Sequence, residues 1–199
     1  MNKKGTIIFD LDDTLFNSVE LKQDIFQMIS SAGIDFEVVA DSYLELRKID
    51  SIYELENHIQ YLRDTTGVKI SDGIKNQIQN INYKKYVSDD ARNLLQELSK
   101  SYDLWLLSLG VLKVQMKKII DTQLDNYFEQ EKIIITTEPK EHKIKNLKFI
   151  EPIYFLNDKV GETEIISERY PAFSCLVFGE NKKTDLPILK SILDIKNFL

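Results

Sequence analysis

The chain has 199 residues, a formal net charge of −6 and one cysteine. This length suits one domain, or one domain with a modest insertion, and 43% hydrophobic residues can fill a core without a disulfide or structural metal. Lone Cys175 excludes an internal disulfide, no apolar run approaches the ~20 residues that span a bilayer, and acidity is spread evenly, which argues against a nucleic-acid backbone as partner.

The N-terminal Met1–Gly5 is basic, but only Ile7-Ile8-Phe9 separates it from Asp10, too short for a signal-peptide core. A soluble, cytoplasmic protein is therefore expected. The apolar run Thr6–Phe9 reads as a buried strand and ends in three carboxylates, Asp10, Asp12 and Asp13. Like charges this close repel and raise one another's pKa. Either a polar turn or a cation-centred site follows, and the spacing alone leaves both open.

From 16 to 87 the texture becomes helical. Leu21, Ile25, Met28 and Ile29 form one stripe, and Ile52, Leu55, Ile59 and Leu62 a second. Ile74, Ile78 and Ile81 form a shorter third, and Val39, Tyr43 and Leu46 a further one. No strand pattern interrupts them, so an all-helical insertion is expected, with its stripes as core. Gly33, Gly67 and Gly73 read as helix termini.

Beyond residue 87 strands and helices alternate. Ser88 is placed to cap a helix that opens with Asp89-Asp90 and buries Ala91, Leu94, Leu95 and Leu98. Asp103–Leu107, Lys132–Thr136, Ile153–Leu156 and Phe173–Phe178 read as further strands. Leu112, Met116, Ile119 and Ile120 predict the buried face of one helix, and Ile188, Ile192, Ile195 and Leu199 that of a C-terminal one after Pro187. Nearly continuous apolar strands alternating with helices predict a three-layer, Rossmann-like α/β core around a parallel sheet. The core is expected from residues 1–15 and 88–199, with 16–87 inserted. A ligand site in such a sheet lies beyond the C-terminal strand ends. Ser108 follows the second strand, Lys140 and Lys143 the third, and Asp158 and Glu162 the fourth. No phosphate-loop or dinucleotide glycine pattern occurs, and with His58 and His142 as the only histidines a Ser-His-Asp hydrolase has little support.

Asp10-Leu11-Asp12-Asp13-Thr14-Leu15 resembles the first motif of the haloacid dehalogenase superfamily, Asp-x-Asp-x-Thr at the end of the first strand. The flanking Ile7-Ile8-Phe9 and Phe16-Asn17-Ser18 are similar too. The resemblance implies that Asp10 is a nucleophile forming an aspartyl-phosphate and that Asp12 protonates the leaving group and then activates water. It implies that Thr14 buttresses the loop, that Ser108 holds phosphate oxygens, and that Lys140, with Lys143 as its rival, neutralises phosphate and nucleophile. Asp10 and Asp158 would bind Mg2+ through side chains and Asp12 through its main-chain carbonyl, an oxygen-only set that suits a hard cation. Glu162 would reach a metal-bound water. Members that cleave carbon–halogen bonds lack the second acid, so Asp12 favours phosphate. The chain departs from the pattern with Leu109 where many relatives have Asn, Asn157 where Gly or Asp is usual, and Glu162 where a second Asp is frequent. The segment 16–87 is similar to the helical cap of this superfamily. The implied function is Mg2+-dependent hydrolysis of a small phosphorylated metabolite, without nucleic-acid or membrane partners. A phosphotransferase or mutase on the same site, and a catalytically weak binding or regulatory protein, stay open.

Overall fold

A computed structural model describes residues 2–49 and 53–199. The chain divides into two compact units, Ser18–Asn82 and a discontinuous one made of Met1–Asn17 and Tyr83–Leu199.

The first of these is helical: α1 (Ser18–Ser30), α2 (Phe36–Ile49), α3 (Leu55–Thr66) and α4 (Asp72–Gln79), with no strand among its described residues. Helix α1 packs on α2 and α4, and α2 on α3. The Phe26 ring lies 5.3 Å from Tyr43 and 5.9 Å from His58, centroid to centroid, joining α1, α2 and α3 through aromatic contacts. Gly67 ends α3 in the left-handed region (φ 72°), where a side chain would strain the backbone, and its N–H donates to Arg63 O. Ser71 caps α4 by accepting from Ile74 N. Of the expected second stripe, Ile52 lies outside the described residues.

The discontinuous unit holds six strands: β1 (Thr6–Phe9), β2 (Asp103–Leu109), β3 (Ile133–Thr136), β4 (Ile153–Asn157), β5 (Phe173–Phe178) and β6 (Ile188–Leu189). All neighbours are parallel, in the order β3-β2-β1-β4-β5-β6. The helices around this sheet are α5 (Asp89–Leu98), α6 (Leu112–Thr122), α7 (Lys140–Ile144) and α8 (Val160–Arg169). Every residue of β1 and β4 is buried. Successive side chains point to opposite faces, so both faces of the sheet are covered, as the apolar runs predict. Ile8, Trp105, Leu107, Ile153, Phe155 and Cys175 meet Ile144 of α7 and Ile166 of α8 in one core cluster. The Ser88 hydroxyl accepts from Ala91 N at 3.1 Å, so α5 starts where its capping residue predicts.

Chain order locates the functional end of this sheet. From β1 the chain builds β2 and β3 on one side, then returns to lay β4, β5 and β6 on the other. The order reverses between β1 and β4, and such a reversal opens a crevice at the C-terminal strand ends. Phe9 sits in register with Leu106 of β2 and Leu156 of β4, so Asp10 stands level with Leu107 and Asn157, and Ser108 and Asp158 lie one residue further on at the same end of the sheet.

Two expectations are corrected. Of the face expected from Leu112, Met116, Ile119 and Ile120, helix α6 buries Ile119 but leaves Leu112 and Ile120 exposed, and Gln115 and Thr122 are buried beside Ile119. Hydrogen bonds from Gln115 into the loop after β1 set the roll of this helix against its apolar periodicity. The C-terminal segment is not one helix from Ile188 but a two-residue strand followed by a 3₁₀ turn at Ile192–Asn197. Ser191 accepts from Leu193 N and Asp194 accepts from Ser191 N, so a new turn begins at Ser191 and breaks the continuity. No helix among the described residues is long and apolar enough to cross a membrane.

Candidate active site

Asp10 is the first residue past β1, yet its N–H still donates to Leu156 O at 2.9 Å, which fixes it against β4. The chain then turns back. Leu15 N and Phe16 N both donate to Leu11 O, and Asp13 N donates to Phe16 O. The turn passes through a left-handed residue, Asp13 (φ 57°), a conformation that glycine and the short polar residues accept most readily. This accounts for an aspartate where glycine also serves. Thr14 does not buttress the loop as expected: its hydroxyl is buried without a hydrogen-bond partner, and main-chain bonds close the turn.

The Asp10 carboxylate is 3% exposed, and Lys140 Nζ lies 2.6 Å from its Oδ1. Burial pushes the Asp10 carboxyl above its ordinary pKa, against the opposing pull of Lys140. Lys140 is 2% exposed at the first position of α7, held there by the turn after β3. Its ammonium also reaches Asn157 Oδ1 and Glu162 Oε2, each at 3.2 Å. Lys143 instead points outward and pairs with Glu138 at 3.4 Å. Of the two lysines, the structure brings Lys140 to Asp10.

Glu162, on the first turn of α8, bridges Lys140 and Lys159, the latter at 3.2 Å. Burial acts to raise its pKa, but the two lysines outweigh it and hold the carboxyl below its usual value. Asn157 ends β4 fully buried, accepts from Lys140 and donates to Glu162 Oε2 at 3.4 Å. This residue, a departure from the family pattern, is thus the link between the lysine and the acid of α8.

Asp12 faces a different pair. Gln115 Nε2 donates to its Oδ2 and Lys118 Nζ to its Oδ1, both at 2.5 Å. Lys118 also lies 5.2 Å over the Phe16 ring. Ser108, 1% exposed, accepts from the same Gln115 nitrogen at 2.8 Å. Gln115 and Lys118 were not singled out by the residue patterns, and Asn157 only as a departure from the family motif. The available signal was a Gln and a Lys three apart, on one face of the helix that follows Ser108.

Asp158 follows β4 directly. Its Oδ1 is buried with no hydrogen-bond partner among the described residues. Burial, followed by the nearby charges of Asp10 and Asp13, pushes its carboxyl up to about 6. A buried anionic oxygen without a partner, beside two further carboxylates, is suited to a cation. The side-chain donors are all oxygens, which fits Mg2+ rather than a softer metal. Among the described residues no three acidic, histidine or thiol side chains form a metal-holding group. The expected set differs from such a group, since it takes two side chains, Asp10 and Asp158, and the main-chain carbonyl of Asp12.

No protein-family model and no curated protein matches the sequence. Solved structures do match in shape. A provisionally named haloacid dehalogenase-like hydrolase from Burkholderia xenovorans aligns with a TM-score of 0.77 at 14% identity, over 96% of this chain and 94% of its own. A provisionally named β-phosphoglucomutase from Thermotoga maritima aligns at 0.64 and 12% identity, over 98% and 99%. The provisionally named HAD-hydrolase YfnB from Bacillus subtilis, bound to magnesium, aligns at 0.61 and 11% identity, over 99% of each chain. Six parallel strands in the order 3-2-1-4-5-6, with acids at the reversal point, and these superpositions lead to one conclusion: the chain has the fold of the haloacid dehalogenase-like hydrolases.

Proposed function

We propose that this protein is a Mg2+-dependent phosphomonoesterase that acts on small phosphorylated metabolites through a phosphorylated Asp10. The observation that carries the reading is the placement of buried Asp10 and half-buried Asp158 at the β1–β4 reversal, near enough for the charge of the first to act on the second. Asp10 is held by Lys140 at 2.6 Å, and Asp158 presents a buried oxygen with no hydrogen-bond partner among the described residues.

In this reading an Asp10 carboxylate oxygen attacks phosphorus and the bond from phosphorus to the ester oxygen breaks. Asp12 gives its proton to the departing alkoxide. Water then attacks the phosphorus of the acyl phosphate. Asp12 takes a proton from that water, and inorganic phosphate leaves with Asp10 restored. Lys140 and the Ser108 hydroxyl hold the non-bridging oxygens while the attack proceeds. Asp10, Asp158 and the Asp12 carbonyl would hold Mg2+, whose charge offsets the repulsion between carboxylate and phosphate. Asn157 and Glu162 keep the Lys140 ammonium from swinging away. The second acid favours phosphate over haloacid, because displacement of halide needs no proton donor. The helical unit takes the part of the substrate-selecting cap.

The test is turnover of an aryl phosphate with and without Mg2+. Activity is expected only with the ion, and Asp10→Asn is expected to abolish it. No hydrolysis across a wide panel of phosphorylated metabolites would overturn the proposal in favour of a binding role.

A further inference from the structure

We propose that Gln115 is a positioning residue that sets the acid Asp12 and the phosphate-holding hydroxyl of Ser108 in one fixed arrangement. The inference rests on the phosphatase reading above and adds to it a residue outside the strand-end motifs. Gln115 is 3% exposed, on α6, the helix that opens just after β2. Its Nε2 lies 2.5 Å from Asp12 Oδ2, 2.8 Å from Ser108 Oγ and 3.4 Å from Leu109 O. Oδ2 of Asp12 keeps a lone pair for this contact whether or not the carboxyl carries a proton, and the amide turns its nitrogen towards it. That nitrogen has two protons, and the two short contacts use both.

Two consequences follow for the chemistry. Ser108 accepts from Gln115, so its own proton is free to point at a phosphate oxygen. Asp12 has each oxygen fixed by a different residue of α6, Oδ2 by Gln115 and Oδ1 by Lys118. One side chain therefore ties the acid of the β1 loop to the hydroxyl of β2. The space it occupies is kept open by Gly110, where an added Cβ would lie 3.0 Å from both Gln115 Cγ and Nε2. A buried glutamine with a glycine cleared for it serves no evident packing purpose.

The role predicts a signature that loss of packing would not produce. Protonation by Asp12 matters most for a poor leaving group, and acid catalysis of this kind is worth about 10²–10⁴-fold. Gln115→Met keeps the volume and loses the donor, and Gln115→Leu loses the donor with a smaller apolar side chain and no added charge. Each is expected to lower kcat/KM, which reports the step that forms phosphorylated Asp10, at least about tenfold more on an alkyl phosphate than on 4-nitrophenyl phosphate, whose leaving group needs little help. The second variant serves if the first fails to fold, as judged by its thermal midpoint. In an Asp12→Asn background the same changes should add no leaving-group dependence, since the group they position is gone. An active wild type whose Gln115 variants lose equally on both esters, or lose nothing, overturns the inference alone. A wild type inactive on both esters overturns the phosphatase reading, and this inference with it.

Discussion

Lys140 and Lys143 carry the same charge and stand one helical step apart, yet the fold gives them opposite surroundings. Lys140 is buried against Asp10, Asn157 and Glu162, while Lys143 lies in solvent beside Glu138. Removing one member of a buried pair leaves an uncompensated charge, which typically costs about 3–5 kcal/mol, whereas an exposed pair contributes about 0–1 kcal/mol. Lys140→Met should therefore lower stability by roughly 3 kcal/mol in urea unfolding and reduce turnover about 10²–10³-fold, the scale seen on deleting one charge-stabilising donor. Lys143→Met should leave turnover unchanged and stability within about 0.5 kcal/mol. Equal effects from the two variants would contradict the assignment.

At the scale of elements, the helical unit contains a titrating group with no part in the proposed chemistry. His58 of α3 is fully buried, with its ring nitrogens 2.6 Å from Ser42 Oγ and 3.0 Å from Tyr53 OH. Phe26 and Tyr43 pack on its ring. Burial drives the imidazole pKa down from 6.5 to about 4. The unfolded chain therefore binds a proton between those values that the folded chain refuses. The stability from neutral His58 is complete above pH 6.5 and is lost as pH falls towards 4, a span worth roughly 3 kcal/mol. Hydrogen exchange of α2 and α3 amides should show protection falling over that window in the wild type. His58→Gln should remove that part of the pH dependence, and an unchanged slope in the variant would assign it to other groups. Helix α6 shows how a site can overrule periodicity. Its apolar spacing pointed to Leu112, Met116, Ile119 and Ile120, but of these the buried face keeps Ile119 and carries Gln115, whose partners Asp12 and Ser108 come from other elements. Such a contact, 103 residues away along the chain in the case of Asp12, has no trace in a helical stripe.

For the whole molecule, the parallel sheet was legible, because apolar runs alternating with helices admit few other arrangements, while the strand order was not read from the sequence. The short edge strand Ile188–Leu189 was not, since two residues carry no period. The placement of Asp10, Ser108 and Asp158 at one sheet end follows from counting strand ends. The side-chain links among Lys140, Asn157 and Glu162 follow only from packing, and a residue read as a departure, Asn157, proves to hold two of them together. The β1–β4 reversal is where distant parts of the chain meet, so an ion bound there should act on the stability of the entire discontinuous unit. Saturating Mg2+ at a hundred times its Kd would add about 2.7 kcal/mol to the folded state. The thermal midpoint of the wild type should rise with Mg2+ and return on chelation, and Asp158→Asn should abolish the response. A midpoint indifferent to Mg2+ in the wild type would remove the cation from this account.

The most direct measurement is acid-quench trapping of the chain during turnover of a labelled phosphomonoester, followed by peptide mapping. The account predicts an alkali-labile label on the peptide that contains Asp10, absent in Asp10→Asn. Turnover without a label, or a label on any other residue, would contradict it.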